Sequence, residues 1–448
     1  MGANIGKPQQ KQKTKWYAHQ EDILAALNED CWRHVLSFVP VRDIVRAERV
    51  SRKWQEAVLL YLRGQNIRIE PVEFKYEDTR VNCRILQLPE THVKTRDMFE
   101  QVTQKFGGSV VASYCNSNAT FKIVTGNCPN LIHLSFIDYS AVKIPFLLMH
   151  KMATAVNIHQ LKQISFRHME HATEECISKF IIGDDLQELV IRNNEYVTGL
   201  CLTHLKSTNL KSLGLIFCTN LIYDHLHSAL DNLTGLTKLD LRSEVDGMIF
   251  PLNVPGRMPK LEELTIRYDS EQMNLEVSIL ESIGLLSRLR ILDLSWLTGV
   301  NDKWLEVISR GCKQLESLNI NHAEVTSEAV EALCRTAGPT LRWLSMAYTV
   351  NDIDDYDVLA CIAYCPQLQV RWSSPLNEDG PERRRRVVRA IPAGVSFVPT
   401  RPVPWSPIQD IFGDYVVQFD DFLDEEPEIN NNGAEDRNIS DDEDNDNL

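Results

Sequence analysis

At 448 residues the chain is too long for one ordinary hydrophobic core, so several domains or an elongated array are expected. Hydrophobic residues make up 43%, enough for a packed interior, but no run approaches about 18 uninterrupted apolar residues, which predicts no membrane span. The formal net charge of −15 lies almost wholly at one end, because fifteen Asp and Glu residues against one Arg follow from Asp410 onward. The remainder is close to neutral, and we expect no nucleic-acid partner.

The first twenty residues predict a disordered basic leader. The opening MGANIGKPQQ lacks the apolar segment of a secretory signal, so we expect no export and a cytoplasmic and/or nuclear location. Myristoylation of Gly2 is an alternative, with Lys7, Lys11, Lys13 and Lys15 as the electrostatic second signal, although Gly6 stands where Ser or Thr is preferred.

Residues 21–62 have the pattern of three short amphipathic helices. The first is expected to begin with Asn28 as its N-cap and to end before Pro40, and the second to run over about residues 43–50. The third carries apolar residues along one face, at Trp54, Val58 and Leu62. Because about 40 residues rarely build a self-sufficient core, this apolar excess predicts that the unit docks on something else.

This unit resembles the F-box, most specifically in the run VSRKW at 50–54. The other matching residues are Leu27, Glu29, Val35, Leu36, Phe38, Val39, Pro40, Asp43 and Ile44. The sequence departs from the family at Asn28, where proline usually follows the opening leucine. The resemblance implies binding of a Skp adaptor, for which we select Leu27, Leu36, Val39, Pro40, Ile44 and Trp54. The alternative is a helical cap for the array that follows.

Residues 63–105 are predicted to connect this unit to the array and to cap it. Apolar and polar residues alternate early in the segment, as in IRIEPVEFKY. The pair Gly107 and Gly108 predicts a turn.

Residues 106–373 contain about ten copies of the pattern LxxLx(L/I/F/M), at intervals of 24 to 30 residues. The copies begin at Leu131, Leu161, Leu186, Leu210, Leu236, Leu261, Leu289, Leu315, Leu341 and Leu368. Each copy is expected to form a strand with inward leucines and then to return through a helix, for which 301–315 and 327–338 have the pattern. The pattern resembles leucine-rich repeats, which implies an α/β solenoid with a curved parallel sheet and outer helices.

The cysteines and histidines favour structural roles over metal or redox chemistry. Eleven cysteines occur without CxxC pairs, so reduced thiols are expected. Cys128, Cys312 and Cys365 each stand three residues before the first leucine of a repeat, and Cys218 follows a strand, which predicts small buried apolar groups. This placement resembles the cysteine-containing subclass of leucine-rich repeats. We predict no metal site.

Four arginines occupy the seventh position of repeats, Arg167, Arg192, Arg242 and Arg267, and are predicted to form a column on the concave face. In one interpretation Glu188, Asp240 and Glu263 neutralise them. In a second, the arginines and Asp240 bind an acidic or phosphorylated target segment. In a third, the acidic tail of the chain occupies the groove until a target displaces it.

Residues 374–448 are proline-rich, contain RRRR at 383–386 and end in the acidic stretch, a composition that predicts disorder. The arginine run is a weak candidate for a nuclear import signal. Ser440, followed by DDED, suits an acidophilic kinase, and an unmodified solvated tail is the alternative.

The order of the two resemblances, an F-box and then leucine-rich repeats, implies a substrate receptor of a Skp–cullin–F-box ubiquitin ligase. Such a receptor binds the Skp adaptor, and through it a cullin–RING ligase, and presents a protein target for ubiquitination and proteasomal degradation. It is not an enzyme itself, and the chain shows no Walker loop, dinucleotide fingerprint or HExxH, so no cofactor is expected. The alternative is a leucine-rich-repeat scaffold or adaptor protein outside any ligase.

Overall fold

The repeat leucines fold as the spacing predicts, with Leu186, Leu213, Leu239 and Leu292 fully buried. The computed structural model describes residues 28–71, 84–88, 93–137, 158–169, 172–203, 205, 209–243, 258–268, 277–297, 299–347, 361, 364–365 and 368–373. Within these residues the core of the F-box and that of the repeats form one continuous apolar cluster. Stacking of neighbouring repeats is therefore what buries the leucines.

The described strands form one parallel sheet in the order β13 to β3 in sequence, followed by β1 and then β2 at the edge. They are β1 Ile67–Pro71, β2 Arg84–Leu88, β3 Val110–Cys115, β4 His133–Ile137, β5 Gln163–Arg167, β6 Glu188–Asn194, β7 Ser212–Cys218, β8 Lys238–Ser243, β9 Glu263–Tyr268, β10 Ile291–Asp293, β11 Ser317–Asn319, β12 Trp343–Ala347 and β13 Gln369–Ser373. The ten predicted copies account for β4 to β13, and the fold is an α/β leucine-rich-repeat solenoid.

The helices connect successive strands or build the N-terminal unit. They are α1 Glu29–Ser37, α2 Val41–Ala47, α3 Arg52–Arg63, α4 Val93–Phe106, α5 Asn118–Asn127, α6 Glu174–Ser178, α7 Leu200–Thr203, α8 Tyr223–Asn232, α9 Val277–Gly284, α10 Asp302–Gly311 and α11 Ser327–Ala337, with 3₁₀ helices at Gly107–Ser109 and Ile158–Gln160. The helices predicted over 301–315 and 327–338 are confirmed as α10 and α11. Among the described helices, none is long and apolar enough to span a bilayer.

The segment predicted to link and cap the array contributes strands to the same sheet. β1 pairs with both β2 and β3, so these three strands extend the sheet beyond the first recognisable repeat. The turn predicted at Gly107 and Gly108 is the first part of a 3₁₀ helix. A side chain at 107 would collide with the backbone carbonyl of Asn127, which explains glycine there.

The last repeat is shifted by one residue from its predicted register. Val370, not Arg371, pairs with Leu344 of the preceding strand, so Val370 takes the fourth position of the repeat. In the predicted register the copy begins at Leu368, and its fourth, inward position would be Arg371. The shift places an apolar residue inward, and both Leu368 and Val370 are buried.

The three predicted helices of the N-terminal unit are present as α1, α2 and α3. Asn28 has extended backbone geometry and its side-chain oxygen accepts a 2.8 Å hydrogen bond from the amide of Cys31, which confirms it as the N-cap. Ser51 caps α3 in the same way, through the amide of Trp54. α2 begins at Val41, directly after Pro40, earlier than the predicted start.

Candidate binding surfaces

The residues selected for adaptor contact have different positions in the structure. Leu36 and Ile44 are buried within the F-box itself, at 3% and 0% exposure, where they pack in the core shared with the sheet. Val39 and Trp54 are half-buried against that core, and Pro40 is exposed. Leu27 lies outside the described residues. Contact of these residues with an adaptor stays a prediction. Leu36 and Ile44 are core residues that stabilise the fold of the F-box.

The F-box instead presents a different set of apolar side chains to solvent. Phe38 is 75% exposed, Val50 69% and Val35 52%, with Leu60 also exposed. These exposed apolar groups in one small helical unit make it a candidate protein-binding surface. We call Val35, Phe38 and Val50 the F-box apolar surface. All three residues belong to the F-box pattern given above. The sequence alone does not show which apolar residues of that pattern are exposed, because this depends on how the helices pack.

Arg84 on the edge strand β2 fixes the F-box against the solenoid. Its guanidinium donates to the carbonyl of Leu36 at 2.9 Å, and also to the carbonyl of Val39 and the hydroxyl of Tyr61. These carbonyls are at the C-terminal end of α1, where helical carbonyls lack partners within the helix and the helix dipole favours a cation. Lys105 of α4 adds an ion pair with Glu48. The F-box is therefore held in a defined orientation at one end of the sheet.

The predicted arginines fall into two register pairs on the sheet, and their placement on a target-binding concave face stays a prediction. Arg167 pairs in register with Arg192, and Arg242 with Arg267, while Ile216 separates the two pairs. All four side chains are buried or half-buried, so the face is more enclosed than a simple solvated sheet.

Carboxylates neutralise the second half of this column. Arg242 forms two hydrogen bonds of 2.8 Å to the carboxylate of Asp240, as predicted. Arg267 is paired with Asp293, a residue that the sequence interpretation omitted. Glu263 pairs with Lys238, and Glu188 accepts a hydrogen bond from Gln163. Neutralisation by the predicted carboxylates, the first interpretation above, is therefore confirmed for Arg242 and Asp240. The role of the arginines in target binding stays a prediction.

The two buried aspartates of this network respond differently to their surroundings. Burial raises the pKa of Asp240, and the adjacent Arg242 only partly offsets that effect. Burial also raises the pKa of Asp293, but Arg267 and two hydrogen bonds from Ser295 outweigh it, so the net pKa is lowered. Asp293 is thus held as the carboxylate, and its pairing with Arg267 fixes the geometry of the face.

A concave pocket lies at the end of this face nearest the F-box. Strands β1 and β3 to β6 line it, and its charged side chains include Arg68, Glu70, Arg167 and Glu188. Arg68 and Glu70 form an ion pair of 2.9 Å, and the hydroxyls of Ser135 and Ser165 are 2.7 Å apart. Two cations and two anions from these residues balance, so the lining of the pocket carries no net charge from them.

The cysteines singled out in the sequence are buried, as predicted. Burial raises the pKa values of Cys128, Cys218 and Cys312 to about 12, which keeps these thiols protonated and unreactive. Within the described part of the chain, His, Cys, Asp and Glu side chains form no group of three or more suited to a metal ion.

The structure therefore combines a small helical unit, which has exposed apolar residues, with a leucine-rich-repeat solenoid to which it is fixed. The F-box domain model matches residues 24–61, which cover α1, α2 and most of α3. The chain therefore contains an F-box, which precedes repeats with the leucine-rich-repeat fold.

Two known proteins extend the comparison. The solved structure of yeast Rad7, in complex with Elc1, matches 76% of this chain and 85% of its own with a TM-score of 0.52 and 16% identity, a similarity of fold. A Caenorhabditis elegans protein named for RNA binding, EEED8.10, is 23% identical over 369 residues. That alignment covers 79% of this chain, which spans 47% of the relative.

Proposed function

We propose that the chain is the target-recognition subunit of a Skp–cullin–F-box ubiquitin ligase, acting in the cytoplasm and/or nucleus. The F-box binds the Skp adaptor, and the concave face holds a protein target for ubiquitination and proteasomal degradation. The chain itself supplies no catalytic group. The single observation that carries this proposal is an F-box with solvent-exposed apolar residues, fixed rigidly to a repeat solenoid.

The F-box apolar surface supports adaptor binding. Phe38 and Val50 leave large apolar areas in water, and burying such a side chain stabilises a complex by about 1.5–3 kcal/mol. Rad7, which shares the fold, was crystallised with Elc1, and we propose an adaptor complex for this chain by analogy.

The concave face supports binding of a polar protein segment of mixed charge. Its described cations are Arg68, Arg167, Arg192, Lys238, Arg242 and Arg267, and its described anions are Glu70, Glu188, Asp240, Glu263 and Asp293. Because the two signs nearly balance, a strongly anionic partner such as RNA gains little here. An acidic or phosphorylated target would have to compete with Asp240 and Asp293 for their arginines.

Co-purification of the full chain with a recombinant Skp adaptor tests the proposal. Wild-type chain should retain the adaptor through stringent washing, and Phe38→Asp combined with Val50→Asp should lose it at least tenfold. Leu285→Asp is the matched control, since Leu285 is an equally exposed apolar residue (69%) on the solenoid.

Failure of the wild-type chain to retain the adaptor would favour the alternative, a leucine-rich-repeat scaffold outside any ligase. Equal loss in the Leu285 control would show that added charge, and not the F-box apolar surface, causes the effect. In either result the assignment as a ligase receptor is withdrawn.

A further inference from the structure

A row of left-handed backbone residues follows the strands of the repeats. His168, Asn193, Phe217, Trp296 and His322 all have φ between 49° and 66°, and each occupies the eighth position of its repeat. The left-handed region is unfavourable for bulky side chains. Asn193 shows that the turn accepts a small residue that tolerates this geometry, so the turn alone does not require Trp at 296.

Trp296 and His322 form a stacked pair at this rim. Their ring centroids are 3.8 Å apart with an angle of 26° between the planes, and Trp296 is 47% exposed. The amide of Trp296 donates to the carbonyl of Asn321 at 3.2 Å, which ties the two turns together. A rigid, exposed indole backed by a second ring is a platform of the kind on which proline-rich segments pack.

The chain carries such a segment. Residues 399–407 read PTRPVPWSP, with two PxxP spacings, Pro399 to Pro402 and Pro404 to Pro407. A polyproline II helix repeats every three residues, so each spacing places two proline rings on one edge.

The platform lies within reach of this segment, as the end of the last strand and the length of the following chain show. All strands are parallel, so the chain leaves β13 at the same edge of the sheet at which Trp296 follows β10. Three strand spacings separate β10 from β13, about 14 Å. The 26 residues from Ser373 to Pro399 have a root-mean-square span of about 28 Å when unstructured, which covers this distance. A tether of this length gives an effective concentration in the millimolar range, so even a weak contact would be occupied.

We infer that the Trp296–His322 platform binds the chain's own proline-rich segment 399–407. A proline-rich segment from another protein would compete for the same platform. The inference does not depend on adaptor binding.

Protection of the Trp405–Ser406 bond from chymotrypsin in the full-length chain tests the inference. Cleavage there is followed by mass spectrometry and divided by cleavage after Phe422, which lies outside the segment. Trp296→Asn, which tolerates the left-handed backbone, should raise this ratio at least fivefold over wild type. Pro399→Ala combined with Pro402→Ala should raise it similarly while leaving the platform and the solenoid unchanged.

Tyr223→Asn is the matched control, because Tyr223 is another exposed ring of the solenoid, and it should leave the ratio at the wild-type value. The melting temperature of each variant verifies folding. A ratio within twofold of wild type in either Trp296→Asn or the double proline variant overturns the inference. So does an equal rise in the Tyr223 variant.

Discussion

Glycines at the ends of successive helices set how closely the repeats approach each other. A Cβ added to Gly311 would lie 1.9 Å from the carbonyl oxygen of Gly284 in the preceding repeat. Gly284 and Gly338 are similarly crowded by Val307 and by the carbonyl of Tyr364. At Gly311 and Gly338 the outer layer therefore depends on backbone-to-backbone packing between neighbouring repeats.

We predict that Gly311→Ala lowers the free energy of unfolding by about 1–3 kcal/mol, because the repeats must separate to admit the methyl group. Gly126→Ala should have the opposite sign. Gly126 is helical with nothing within 4 Å of an added Cβ, so alanine should stabilise by about 0.4–1 kcal/mol. Urea denaturation of the two variants measures both effects, and a loss of stability in both would contradict the packing argument.

Asp293 should make the solenoid sensitive to acid. Its folded-state pKa is lowered, so it stabilises the fold above the unfolded pKa of about 3.9, and that contribution disappears as pH falls through the folded value. We predict that Asp293→Asn flattens the fall in unfolding free energy below about pH 4. The comparison is made by urea denaturation over a series of pH values.

Asp240→Asn serves as the control for this prediction. Because the folded-state pKa of Asp240 is raised, its ionisation removes stability as pH rises, the opposite direction. The two substitutions should therefore change the pH dependence with opposite signs. A change of the same sign in both would mean that general loss of the arginine pairing is responsible.

The sequence alone does not predict which apolar side chains of the F-box are buried. The helical pattern identifies Leu36 and Val35 as apolar, but only the packing of α1 in the structure shows that Leu36 is buried and Val35 exposed. In the arginine column, by contrast, the repeat period alone predicts the register of Arg167 with Arg192. Asp293 was missed because it belongs to the repeat after Arg267, 26 residues away.

At the scale of elements, polar contacts between neighbouring repeats supplement the leucine core. Asp302 at the start of α10 accepts two hydrogen bonds from Thr326, from its amide at 2.8 Å and its hydroxyl at 2.9 Å. Thr326 is also the N-cap of α11, through the amide of Ala329. One threonine therefore begins its own helix and attaches it to the preceding repeat.

We predict a coupling free energy of about 0.5–3 kcal/mol between Asp302 and Thr326 in a double-mutant cycle with Asp302→Ala and Thr326→Ala. The control cycle uses Asp43 and Arg46, an exposed ion pair with side chains 52% and 60% accessible, for which coupling should be at most a few tenths. Coupling of equal size in the two cycles would rule out the assigned role of Thr326.

The leucine repeat predicts some strands of the sheet and not others. Strands β4 to β13 are predictable because leucine recurs at their inward positions. β1 and β3 carry no repeat signature, because residues such as Ile67, Ile69 and Cys115 fill the core there without the leucine spacing. β2 pairs outside β1 and so departs from sequence order at this edge, which no repeat period could indicate.

At the scale of the whole molecule, Arg84 links the F-box to the solenoid through carbonyls at the end of α1 and through Tyr61, with its guanidinium 5.3 Å from the ring centroid. We predict that Arg84→Met releases the F-box from its orientation without unfolding either part. Amides at the end of α1 should exchange hydrogen at least tenfold faster, while those of β7 and β8 stay protected, as measured by mass spectrometry.

Lys105→Met is the control: its ion pair with Glu48 is partly exposed and should contribute at most about 1 kcal/mol, so exchange should change little. If the orientation of the F-box matters for presenting a target, the Arg84→Met variant should retain the adaptor but transfer ubiquitin more slowly. Unchanged hydrogen exchange at the end of α1 would contradict the prediction and show that the apolar core alone holds the F-box.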